Sequence, residues 1–287
     1  MVKNLELFNT PVHSLYHYTN MEALINILKT NTLWATDCKY LNDLSETKNM
    51  DKIYNELLET ENKGLYDYIT EIKERGEPER AENKKQSYFL SFTTEKDSIA
   101  LWNYFGENGV ALEFDLLGLS YNNGGDEITV LDKNNESITV PSEIIYGKIK
   151  YNDCEIKKLY CKLFEPKATD SDNDITENHI EFIRSALTLD NINYFKKDNG
   201  FSYESEYRIV INLNKKDSTN IEHFRVKNGL IIPYIAIIFG HYLFSLKSIT
   251  INPKQNDCMI EEGIKRLLIA NKNNNIPIHR SNSKIRW

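Results

Sequence analysis

The chain has 287 residues, 40% of them apolar and 27% charged, with a net charge of −7. That balance excludes a globally disordered chain and a basic field that would draw the whole molecule onto nucleic acid. The length sits at the upper end for one hydrophobic core, so the expectation is a single domain over 1–287 with insertions near 59–85 and 120–140.

Taken in chain order, Ser14 to Tyr18 reads as a short strand and runs directly into a helix. Thr19 and Glu22 have the spacing of a capping box, and Leu24, Ile25 and Leu28 form an apolar stripe. Leu33 to Ala35 reads as a second strand. Asp43 and Glu46 repeat the capping spacing before an amphipathic helix that carries Met50, Ile53, Tyr54, Leu57 and Leu58. After a charged excursion come a strand (Tyr88 to Thr93), a helix (Ser98 to Phe105, ended by Gly106) and a strand (Val110 to Asp115). Tyr121 to Glu136 is rich in Asn, Gly and Asp and reads as a mobile connection.

Strands are expected at Ile144 to Tyr151, Tyr203 to Leu213, Ile235 to Phe239, Ile249 to Ile251 and Ile276 to His279. Helices are expected at Glu155 to Leu163, Ile175 to Phe195 and Met259 to Asn271. The fold class is therefore α+β, a split, mixed or mostly antiparallel sheet flanked by helices.

The four cysteines, Cys38, Cys154, Cys161 and Cys258, form no CxxC pair, so a zinc site is not expected and a reducing compartment is. The N-terminus lacks the apolar stretch of a signal peptide, and no apolar run is long enough for a membrane helix. The expected location is cytoplasmic, with no membrane partner. Walker, GxGxxG, GxSxG and HExxH motifs are missing.

Four pieces can carry chemistry. Tyr16-His17-Tyr18-Thr19 lies at a strand-to-helix junction, where His17 can direct a hydrogen bond to a ribose hydroxyl or an amide. Asn42, Asp43 and Glu46 mark a turn and a helix start. Ser91, among Tyr88, Phe89, Leu90 and Phe92, leaves room for a ligand, and Trp102 with Phe105 is spaced for one helix face. The sharpest piece is Tyr203 to Val210. Read as strand, it sends Glu204, Glu206 and Arg208 to one face, about 6.5–7 Å apart. One carboxylate can stabilise positive charge growing at an anomeric carbon and the other can orient or deprotonate a nucleophile. The plainer reading of that row is an exposed face held by ion pairs of little energetic worth.

These pieces, in this order, resemble the domain-of-unknown-function 2971 family. The likeness rests on Leu15 to Thr19, Leu33-Trp34, Asn42-Asp43 with Glu46, Phe89 to Phe92, Trp102 with Tyr104 and Gly106, and Gly109 through Asp115. It ends with Tyr203 to Arg208, Ile238-Phe239-Gly240 and Ile249 to Pro253. Leu44 stands where that family usually has proline, which changes turn stiffness only.

The resemblance further implies a distant likeness to ADP-ribosyltransferases, with NAD as substrate and no metal. By that likeness His17 and Thr19 hold ribose or the nicotinamide amide, and Ser91, Phe92 and Trp102 shape the nicotinamide pocket beside Tyr18. Glu206 stabilises the transition state, Glu204 positions the acceptor, and Arg208 keeps the carboxylates ionised or meets a phosphate. The acceptor would be protein, nucleic acid or water. A toxin or phage-defence role, with a neutralising or activating protein partner, follows by analogy. Two other classes stay open: a non-catalytic sensor or interaction module, and a metal-dependent nuclease built on Glu113, Asp115, Glu204 and Glu206.

Overall fold

The computed structural model describes residues 12–41, 85–106, 108–116, 127–164, 192–240 and 244–283. Over these residues the fold is α+β, with far more strand than helix. The strands are β1 (Leu15–Asn20), β2 (Thr32–Asp37), β3 (Lys85–Thr93), β4 (Gly109–Leu116), β5 (Glu127–Leu131) and β6 (Ser137–Pro141). They continue as β7 (Glu143–Lys148), β8 (Glu206–Asn214), β9 (Glu222–Lys227), β10 (Leu230–Ile238), β11 (Phe244–Ile251) and β12 (Ile278–Arg280). The helices are α1 (Met21–Thr30), α2 (Ile99–Tyr104), α3 (Asp153–Phe164), α4 (Lys215–Ile221) and α5 (Cys258–Ala270).

All the strands join one sheet, antiparallel except where β12 runs parallel to β11. Its centre is β3. One edge of β3 pairs along its whole length with β8, from Lys85↔Asn214 to Thr93↔Glu206, and β8 in turn pairs with β7. The opposite edge is shared. β2 takes the start, at Asp37↔Tyr88 and Thr36↔Phe89, and β1 takes the end, at Tyr16↔Thr93. The sheet therefore forks at β3, with one wing β1-β4-β11-β12 and the other β2-β10, which carries β5-β6 and β9.

The apolar interior follows from alternation. Tyr207, Ile209, Ile211 and Leu213 of β8 join Tyr88, Leu90 and Phe92 of β3 and Leu112 and Phe114 of β4 in the main cluster. α1 presents Leu24, Ile27 and Leu28 to it, while Ile25 is 49% exposed, so Ile27 takes the place expected for Ile25 in the buried stripe. Its N-cap is Asn20, whose side chain accepts from Ala23 N–H at 2.8 Å; Thr19 stays in β1. The strand runs two residues further than expected and the cap moves on by one, and Asn caps as well as Thr does.

Other expectations change more. Where Tyr121 to Glu136 is expected as a mobile connection and 120–140 as an insertion, residues 127–141 form the β5-β6 hairpin, which pairs with β10 at Ala236↔Leu131. The strand expected to begin at Tyr203 begins at Glu206, because Asn199–Glu204 is a 3-10 turn and Ser205 is left-handed at φ 44°. The helices expected around Met50 and over most of Ile175 to Phe195 lie outside the described residues.

Candidate functional site

Where β1 and β2 part from β3, the sheet leaves a cleft of about 940 Å³, at the upper end of the size range of small-molecule sites. Its walls include His17, Thr19, Trp34, Ser91, Glu204 and Glu206. Ser91 lies on β3 in the stretch that neither wing covers, and its side chain is exposed. The hydroxyl donates to Glu206 Oε1 at 2.6 Å, across the β3-β8 ladder. On the other side His17 Nδ1 lies 3.3 Å from the Ser91 carbonyl. A carbonyl oxygen only accepts, so Nδ1 carries the hydrogen and Nε2 of the neutral ring is an acceptor. Burial lowers the pKa of His17, which favours that neutral ring.

Glu206 is almost fully buried, yet it is ionised. Arg208 grips it from two residues along the strand, Nε to Oε1 at 2.8 Å and a terminal nitrogen to Oε2 at 3.1 Å. Lys197 Nζ adds a contact to Oε2 at 3.2 Å. Burial alone would raise the carboxyl pKa, but Arg208 and Lys197 outweigh it and bring the group down to about 2. Arg208 itself is held by the Tyr194 carbonyl at 2.7 Å and lies over the Phe89 ring.

Glu204 reaches the same place by a different route. It closes the 3-10 turn, and the left-handed Ser205 folds its carboxylate back to Lys197 Nζ at 2.6 Å. Burial raises the Glu204 pKa against the pull of Lys197. The pair thus divides into one carboxylate held ionised and one made more basic, a division suited to separate electrostatic and proton-transfer roles.

Lys197 is the residue that sequence reading missed. A parallel bridge, Lys150↔Lys196, lays its segment alongside the start of α3, and Phe201 supports its ammonium at 4.8 Å. The same segment covers Glu206 and Arg208, which is why that row is buried and not an exposed ion-paired face.

The remaining expected residues divide. Thr19 and Tyr18 are buried and line the cleft; Tyr18 donates to the Glu95 carbonyl and accepts from Ser98 N–H, both at 3.0 Å. Phe92 lines it too but packs among Phe114 and Phe244. Trp102 does not reach the cleft. It is fully buried, gives its indole N–H to Asp97 at 2.7 Å, and supports Tyr18 at 4.7 Å between ring centroids. Its helix neighbours Tyr104 and Phe105 line the cleft instead. Asn42, Asp43 and Glu46 lie outside the described residues. The four acids of the nuclease reading are not brought together. Glu113 accepts from Ser14 and Ser248, Asp115 pairs with Lys247, and neither lines the cleft. Among the described residues no group of three or more His, Cys, Asp or Glu side chains is placed to hold a metal.

Residues 101–209 match the family model described as "Protein of unknown function (DUF2971)". The DUF2971 match begins in α2 and ends on β8 just past Arg208. It takes in Lys197, Glu204, Glu206 and Arg208, and leaves His17 and Ser91 to strands that precede it. No curated protein and no solved structure matches the chain.

Proposed function

We propose that the cleft binds NAD and that the protein is an NAD-cleaving enzyme of ADP-ribosyltransferase type, with a split sheet of the kind that superfamily uses. The observation that carries this reading is the convergence of His17, Ser91 and Glu206 from three different strands at the fork of the sheet. The ionised Glu206 stabilises the positive charge that grows at the anomeric carbon as the bond to nicotinamide stretches. His17 Nε2 accepts from a ribose hydroxyl or from the carboxamide N–H. Nicotinamide leaves with the electron pair of the broken C–N bond. The acceptor's oxygen or nitrogen bonds to the anomeric carbon, and its proton passes to Glu204, whose raised pKa makes it the better base.

The acceptor on this reading is water, a protein or a nucleic acid, and a role as a toxin or phage-defence effector kept in check by a protein partner is the biological setting we favour. The interaction-module reading keeps one supporting observation: Phe224, Val226, Leu230 and Ile231 stand exposed on the β9-β10 hairpin beside the cleft. The deciding experiment is NAD turnover in chelator-treated buffer by the wild type, Glu206→Gln and His17→Ala. Nicotinamide release by the wild type that is lost in Glu206→Gln supports the transferase. Absence of both turnover and NAD binding overturns it in favour of the interaction module.

A further inference from the structure

The cleft lining from β2 and β9 carries a cation of a different kind. The Arg225 guanidinium lies over Trp34 and Tyr234, at 5.6 and 5.7 Å from their ring centres, and those two rings stack on each other at 4.3 Å. One of its terminal nitrogens donates to Thr36 Oγ1 at 2.7 Å, while its Nε is buried without a hydrogen-bond partner. Among the described residues no carboxylate pairs with it. This contrasts with Arg208 and Lys197, whose charges Glu204 and Glu206 neutralise.

An arginine taken partly out of water without an anion is expensive to keep, and five donors with one acceptor leave a planar fork free for a ligand. Lys227 lines the cleft on the same strand. The cleft lining holds four cationic side chains, Lys197, Arg208, Arg225 and Lys227, against three carboxylates, Glu22, Glu204 and Glu206, in a chain whose net charge is −7. The local excess is positive where the whole molecule is negative.

We propose that Arg225, braced on Trp34 and Tyr234 and assisted by Lys227, is the phosphate-binding wall of the cleft and takes the diphosphate of the bound nucleotide. The naming of a nucleotide rests on the NAD reading above; the anion subsite rests on Arg225 itself. The two arginines then divide the work. Arg208 serves the protein's own carboxylate, and Arg225 serves the ligand. His17 is close enough to Arg225 for that charge to add to the lowering of its pKa by burial.

The test is calorimetric titration of the wild type, Arg225→Gln, Arg225→Lys and Lys227→Gln with ADP-ribose, inorganic pyrophosphate and nicotinamide riboside, each variant checked by thermal melting. A lost charged hydrogen bond weakens ADP-ribose and pyrophosphate binding by roughly 10- to 100-fold in Arg225→Gln. Part of that affinity returns in Arg225→Lys, and nicotinamide riboside, which lacks phosphate, is unaffected. Trp34 sits under the guanidinium, so its fluorescence reports occupancy. ADP-ribose bound equally by wild type and a folded Arg225→Gln overturns the subsite and leaves the NAD reading standing. Pyrophosphate bound in an Arg225-dependent way, with no binding of NAD or ADP-ribose, keeps the subsite and removes the NAD reading. Should Arg225→Gln not fold, unchanged ADP-ribose affinity in both Arg225→Lys and Lys227→Gln overturns the proposal. Binding of neither anion by the wild type overturns it as well.

Discussion

Arg208 and Glu206 are neighbours on one face of β8 and close a two-point ion pair at 2.8 and 3.1 Å, with both side chains almost fully buried. Residues two apart on a strand normally project in parallel; here the fork of the guanidinium leans back to enclose the carboxylate, which fixes Glu206 under Ser91.

Removing the arginine should therefore cost more than removing the pair. Arg208→Met leaves Glu206 buried with Lys197 as its remaining cation, and a loss of about 3–5 kcal/mol is expected in chemical denaturation. The double variant Arg208→Met, Glu206→Leu should recover a large part of it. A double-mutant cycle in which the losses merely add would contradict the coupling described here.

The same pair predicts acid sensitivity. The folded pKa of Glu206 is depressed from 4.5 to about 2, so its contribution is present above the ordinary value and is lost as pH falls from 4.5 towards 2. The contribution at stake is on the order of 3 kcal/mol. Glu204, with its raised pKa, acts in the opposite sense and is relieved by acidification. Urea midpoints between pH 5 and pH 2.5 should therefore fall more steeply for the wild type than for Glu206→Gln. Parallel curves would refute the assignment.

Ser205 supplies the bend that brings Glu204 to Lys197, and its φ of 44° disfavours any side chain branched at Cβ. Ser205→Gly should be neutral or mildly stabilising. Ser205→Ile should lose about 1–2 kcal/mol and, on the proposed mechanism, more turnover than binding. Thermal melts of the two variants make the comparison.

Gly109 opens β4 directly against β1. A Cβ there would stand 1.9 Å from the Thr19 carbonyl oxygen, backbone that has no room to yield. Gly109→Ala should destabilise the protein by more than about 3 kcal/mol or prevent its folding, because β1, with His17 and Thr19, would have to move away from β4. A soluble Gly109→Ala with a wild-type melting curve would show the packing of these two strands to be wrong.

Much of this architecture was written in alternation. Tyr207, Ile209, Ile211 and Leu213 announce the core face of β8, and Glu206 and Arg208 announce the opposite one. The helices α1 and α5, and the chain order that sets His17, Ser91 and Glu206 each on its own strand, were also legible. Strand and helix periods are local properties, so residues close in sequence suffice to reveal them.

What lay beyond the sequence was contact between distant segments. Nothing local distinguishes Lys197, which forms the bridge between the two glutamates, from the lysine beside it. Nor does anything local mark Arg225 as the cation left with an orphaned nitrogen over Trp34. Trp102, given to the cleft by the resemblance, is a buried brace for Tyr18, since a helix face can be read from its period but the object it faces cannot. The sequence alone determined the central strands, their inward faces and the charged row of Glu206 and Arg208 on the opposite face of β8. Only the tertiary structure decided that the sheet forks at β3, that residues 192–204 cover the row, and which charges are paired. The reason is physical: burial and charge compensation depend on what packs from far along the chain, and on that packing depends whether a carboxylate is a surface ornament or an ionised group inside a cleft.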